Sequence, residues 1–152
     1  MAEAPFDLPR AQRWFAIECN NAAWDLLERP IRTVDETEQM LHAAHASVHH
    51  WLAVGDDLNR LRGMVLLANV YAGASLAEGA IRFAEQGLSL SKAAGQTQSA
   101  FDRATTLAAA SRAYSVSGDG ARASEFFALA QQAAEKLEPD ERPVFDQLCP
   151  KV

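Results

Sequence analysis

Cysteine is nearly missing from this 152-residue chain: Cys19 and Cys149 are too few and too far apart for a disulfide framework or a CxxC metal site. Basic residues are outnumbered, 14 against 20 acidic, and they are scattered. The resulting net charge of −6 argues against a nucleic-acid surface and against an anionic membrane. No run approaches the roughly 18 apolar residues of a membrane span. The opening MAEAPFDLPR lacks the charged-then-apolar layout of a secretory signal, so the expectation is a cytoplasmic protein. There is no GxxxxGKS/T, no GxGxxG after a strand and no GxSxG elbow. Gly118-Asp119-Gly120 reads as a turn between helices, not as a phosphate cradle. Strands are missing too, because no stretch alternates apolar and polar residues for long enough.

What is present is alanine, with apolar residues recurring at three- and four-residue steps. The expectation is an all-α domain. The first helix runs from about Pro9 to Glu28, stopped by Arg29-Pro30, since the residue before proline is pushed out of the helical region. The second starts at Thr33, with Glu36 completing a capping box, and reaches Val54 before Gly55. The third covers Asp56 or Asp57 to Gly73, the fourth Leu76 to Ala94, the fifth Thr97 to Ser117 and the sixth Ala121 to Leu137. A short seventh helix can follow with Pro143 in its first turn. The organisation expected is a flexible N-terminus over 1–8, one helical domain over 9–137 and a tail over 138–152. Short connections between long helices mean antiparallel neighbours.

The hairpins repeat. Leu67, Ala68, Tyr71, Ala80, Ala84 and Gly87 stand 43 residues before Ala110, Ser111, Tyr114, Ala123, Phe127 and Ala130. Each copy has a small residue, then a tyrosine three positions on, then a second helix opened by alanine. The second helix fits this frame weakly through Leu41, Ala44 and Val48, and the first helix does not fit it. This pattern resembles the tetratricopeptide repeat, whose period of about 34 residues is shorter. The run Asn20 to Leu27, with Met40 to Ser47, Trp51, Val54-Gly55, Asn59 and Tyr71, is similar to a family of uncharacterised bacterial tetratricopeptide-like proteins. The resemblance implies an α–α superhelix of about three antiparallel hairpins, with six to seven helices. It implies non-covalent recognition of a protein or peptide along the first helices of the hairpins. Asn59, Arg62 and Asn69 on the third helix, with Arg103, Thr106 and Arg112 on the fifth, are the candidate contacts.

All four histidines fall on the second helix. At about 100° per residue from Met40, His45, Glu38, His49 and His42 form a stripe between roughly 140° and 200°. The apolar residues Met40, Leu41, Ala44, Val48, Trp51 and Leu52 centre near roughly 60°, so the stripe borders the buried face and His50 points away. Such a stripe can present a divalent transition metal or a small ligand, with a second helix completing the set. Glu18, Asn21 and Asp25 on the first helix, or Asn59 and Arg62 on the third, are the candidates for that. The reading preferred here is boundary packing, with the imidazoles hydrogen-bonded to neighbouring helices. A homodimer that buries the stripe or the terminal helix is a third reading.

Asn20 sits on a mostly apolar side of its helix and needs a partner for its amide. Asn69 interrupts an apolar run and reads as a buried residue bonded across a repeat interface, or as a hold on a ligand backbone. Trp14, Trp24 and Trp51 read as packing between helices, with peptide contact as the alternative. Cys19 reads as a small hydrophobe.

Overall fold

In a computed structural model, which describes residues 4–150, the chain folds as helices alone, with no strand among the described residues. Helix α1 spans Leu8–Leu27, α2 Val34–Val54, α3 Asp57–Gly73, α4 Ala77–Ala94, α5 Ala100–Ser117, α6 Gly120–Ala134 and α7 Glu141–Leu148. Residues 1–3 of the segment expected to be flexible lie outside the described residues. Asp7, within that segment, caps α1 by accepting from the Arg10 amide at 3.0 Å. The Thr33–Glu36 capping box forms as expected, with bonds of 3.1 and 2.8 Å.

Two boundaries differ from the sequence expectation by more than one residue. Helix α5 begins at Ala100 rather than Thr97, because Ser99 and Asp102 form a capping box and Gly95–Thr97 winds into a short 3₁₀ turn. Helix α6 ends at Ala134 rather than Leu137: the amides of Glu135, Lys136 and Leu137 bond three residues back and tighten the chain before Pro139.

Consecutive helices pair as hairpins, α1 with α2, α3 with α4 and α5 with α6. Helices α1, α3, α5 and α7 lie side by side in a row, and α2 and α4 each also pack on the next member of that row. The second helices therefore cover one side of the row and leave the other free. Alanine makes this closeness workable, with Ala68, Ala72, Ala80, Ala84, Ala109, Ala110 and Ala113 forming the core between α3, α4 and α5. Helices α3 and α5 are buried nearly all round, which is why neither carries a clear polar face.

The 43-residue repeat holds in space. Tyr71 on α3 meets Phe83 at 5.2 Å and reaches back to His45 of the preceding hairpin. Tyr114 on α5 meets Phe126 at 5.6 Å and reaches back to Glu85 of its own preceding hairpin. Gly79 lies against the Tyr71 ring so closely that a Cβ there would strike it. At the equivalent place Arg122 stacks on Tyr114 instead, 5.2 Å from the ring centre. Trp14 departs from the packing expected of it. It is 57% exposed on α1, the first helix of the row.

Candidate functional site

Along the free side of the row, α1, α3, α5 and α7 enclose a groove of about 450 Å³. That lies within the roughly 300–1,000 Å³ typical of ligand sites. Trp24 from α1, Leu61 and Val65 from α3, and Phe101 from α5 give it an apolar lining, and α7 adds Leu148. Its polar centre is an ion pair. Arg62 donates from Nε to Asp102 Oδ1 at 2.8 Å and from Nη2 to Oδ2 at 3.0 Å. Asp102 is sealed, with its side chain 6% exposed, while that of Arg62 is 56% exposed. Burial alone would raise the Asp102 carboxyl, but Arg62 and Ser99 outweigh it and hold the group below the usual carboxylate range. The arginine is thus fixed in direction while part of its guanidinium stays open to the groove.

Asn20 also lines this groove. The expectation that it is buried among apolar neighbours is not met, since it is half-buried and makes one long bond, to Asn21 at 3.4 Å. Thr106 is buried and donates to the Asp102 carbonyl at 2.7 Å, so it supports the groove from beneath. Asn69 is buried one helical step beyond, donating to the Val65 carbonyl at 2.9 Å and accepting from Arg112 at 3.4 Å. Asn69 therefore bonds across a repeat interface, as the first of its two sequence readings expects.

Asn59 and Arg103 belong elsewhere. Asn59 closes the capping box with Asp56 and lines a hollow on the other side of α3, beside Trp51 and Met64. Arg103 turns back to the Gly95 carbonyl at 3.1 Å and lines a hollow of about 630 Å³ between α6 and the start of α5. That larger space lies within one hairpin and its preceding loop, and its Gln98 is already spent on Ser91 and Gly95.

The histidine stripe faces outward. The buried residues of α2 are Met40, Ala44 and Ser47, the last through a 2.7 Å bond to the Ala16 carbonyl. Ser47 was invisible to an apolar count, and Leu52, which entered that count, is 63% exposed. The buried face is therefore rotated away from the stripe, and His42, His45 and His49 are all exposed. His45 Nε2 bonds the Tyr71 hydroxyl at 2.9 Å. Desolvation of the ring side that lies against Tyr71 and Phe83, and then the charge of His42, keep the His45 pKa below its ordinary value. His50, expected to point away, instead stacks on Phe15 at 5.4 Å and bonds Gln12. Among the described residues, no three His, Cys, Asp or Glu side chains converge as a metal site needs, so Glu38, His42, His45 and His49 do not form one. Burial raises the pKa of both thiols, with Glu18 adding to the effect at Cys19 and Asp146 at Cys149, the opposite of what an activated nucleophile needs.

Sequence reasoning missed Asp102, whose only local signal was the Ser99-x-x-Asp102 cap, and Arg32, which sits in a loop where periodicity says nothing. Comparison with protein-family models, curated proteins and solved structures finds no match for the chain. Fold and groove alone define its class: an all-α stack of antiparallel hairpins with a binding-sized groove along its first helices. No helix among the described residues is long and apolar enough to cross a membrane.

Proposed function

We propose that the chain is a non-catalytic, tetratricopeptide-like binding module that recognises an extended segment of a protein or peptide partner in this groove. The observation that carries the reading is the pairing of an apolar lining with one fixed, half-open guanidinium. Trp24, Val65 and Phe101 supply desolvation and Arg62 supplies direction, and tryptophan and arginine are residue types enriched in interface hot spots. Elements that stand side by side present a strip rather than a closed cup, and a strip suits a chain segment better than a compact molecule. The net charge of −6 weighs against nucleic acid as the partner.

Selection of phage-displayed random dodecapeptides against the whole protein tests this. Enriched peptides should bind saturably and weaken by about tenfold or more when Trp24 is replaced by alanine. Trp24 also touches the core of the first hairpin, so Asn20→Arg, which blocks the groove from a half-buried position, is the companion variant. Circular dichroism checks that both variants keep their helices. Absence of saturable binders, or binders indifferent to both changes, would overturn the reading.

A further inference from the structure

Three arginines of the described chain are partly buried: Arg32, Arg112 and Arg142. Arg142 has its carboxylate, Asp146 at 2.8 Å. Arg32 and Arg112 have none: every ion pair among the described residues is made by other arginines, in a chain with 20 acidic residues. Buried cations are ordinarily paired, so two neighbouring ones without a carboxylate demand an explanation.

The two differ in how they are compensated. Arg32 plugs the C-terminal ends of two helices. Its Nη1 donates to the carbonyls of Leu26, Leu27 and Arg29, and its Nη2 donates to that of Gly73 at 2.8 Å. Those carbonyls carry the negative ends of α1 and α3, so its charge is largely answered. Arg112 receives one neutral contact, the 3.4 Å bond to Asn69 Oδ1. Arg32 Nε is the one buried side-chain donor without a partner among the described residues, so the unspent donors of Arg112 remain open to solvent. Burial, and then the charge of Arg32, destabilise the Arg112 cation.

Position completes the picture. Arg112 stands on α5 and Asn69 on α3, 43 residues apart and at equivalent places in the repeat; neither lines the groove itself, but Asn69 lies one helical turn past Val65, which does. Gly73 lies between the two guanidinium groups, and a Cβ there would strike Leu27 Cδ1. From the point where its Cβ would stand, Arg32 Nη2 is 3.4 Å away and Arg112 Nη2 is 4.0 Å away. The two guanidinium groups thus stand close together beside Gly73, packed against the Leu27 methyl, and neither has a carboxylate among the described residues.

We propose that Arg112, with Asn69 beside it and Arg32 behind it, seats one carboxylate of the segment that occupies the groove, an acidic side chain of an extended peptide. This rests on the groove reading above. A carboxylate fits better than a phosphate because the local surplus is about one charge. Helix C-termini also converge here, and their partial negative charge disfavours a dianion, whereas phosphate is held at N-termini. The planar fork of Arg112 suits a planar carboxylate.

The test uses the full chain and pooled, labelled hexapeptides in fluorescence anisotropy. In each pool glutamate is fixed at one position and the rest are randomised, and matched pools carry glutamine there. At one or two positions the glutamate pool should bind about tenfold more tightly. That preference should vanish in Arg112→Gln, return in part in Arg112→Lys, and survive in Arg60→Gln, an exposed arginine outside the groove. The lysine variant keeps a charge at the site, and circular dichroism checks the fold of each.

Equal binding of glutamate and glutamine pools overturns the carboxylate seat while leaving the groove reading intact. No binding by any pool overturns the groove reading and the seat with it. Displacement of glutamate and glutamine pools alike by inorganic phosphate, lost in Arg112→Gln, would reassign the site to phosphate and overturn the proposal.

Discussion

Asp102 serves two structures with one carboxylate. It accepts from the Ser99 amide at 3.2 Å, capping α5, and it takes both arms of Arg62, fixing the groove's open cation. Its pKa is held below the unfolded value, so the stability it contributes is present at neutral pH and is lost as pH falls through its folded pKa. Asp102→Asn, which keeps the shape, should cost about 1–3 kcal/mol at neutral pH. The gap from the parent chain should narrow below about pH 4, where the parent's own carboxylate takes up its proton. Urea unfolding at the two pH values checks this, and a gap that does not narrow would assign the cost to packing instead. At this scale the sequence was only partly legible. Arg62, Asn69 and Arg112 could be placed because mid-helix residues follow the helical face they stand on. Asn59 and Arg103 stand near helix starts, where side chains bend back to satisfy free amides and loop carbonyls, and facial arithmetic fails there.

Helix α7 is the element whose role was hardest to read. It has eight residues, too few to be stable alone, and its place depends on one side chain. Phe145 is fully buried against Ala104, Ala108, Ala130 and Ala134, with Cys149 beside it. Alanines cannot swing in to fill the space a phenyl ring leaves, so Phe145→Ala should cost about 3–5 kcal/mol. It should also release Leu148 and Glu141 from the groove, because both hang on that anchor. Urea denaturation followed by circular dichroism measures the first effect, and a loss under about 1 kcal/mol would mean that α7 is not anchored by its ring. The long helices were legible for a different reason. Their caps and periodicity act within a few residues, as at Thr33–Glu36, whereas the docking of α7 depends on α5 and α6 residues that only the folded stack brings to it.

Taken whole, the molecule is a row in which each helix meets mainly its neighbours, and the free energy of such a row is set by nearest-neighbour interfaces. Helices α3 and α5 have neighbours on both sides and a second helix on one face. Helices α1 and α7 are the end members of the described row, and α1 exposes Trp14, Phe15 and Ile17. Local opening should therefore start from the ends. Native-state hydrogen exchange is expected to rank the amides of α3 and α5 slowest, with α1 exchanging faster and α7 fastest. Uniform protection along the chain would contradict this, since it would require opening as a single unit. The order bears on binding, because the groove draws walls from both end helices as well as from the two central ones. A segment seated against Trp24 and Leu148 ties the least protected members of the row to the most protected. Occupancy should then slow exchange in α1 and α7 far more than in α3 and α5, with saturating peptide as the only variable.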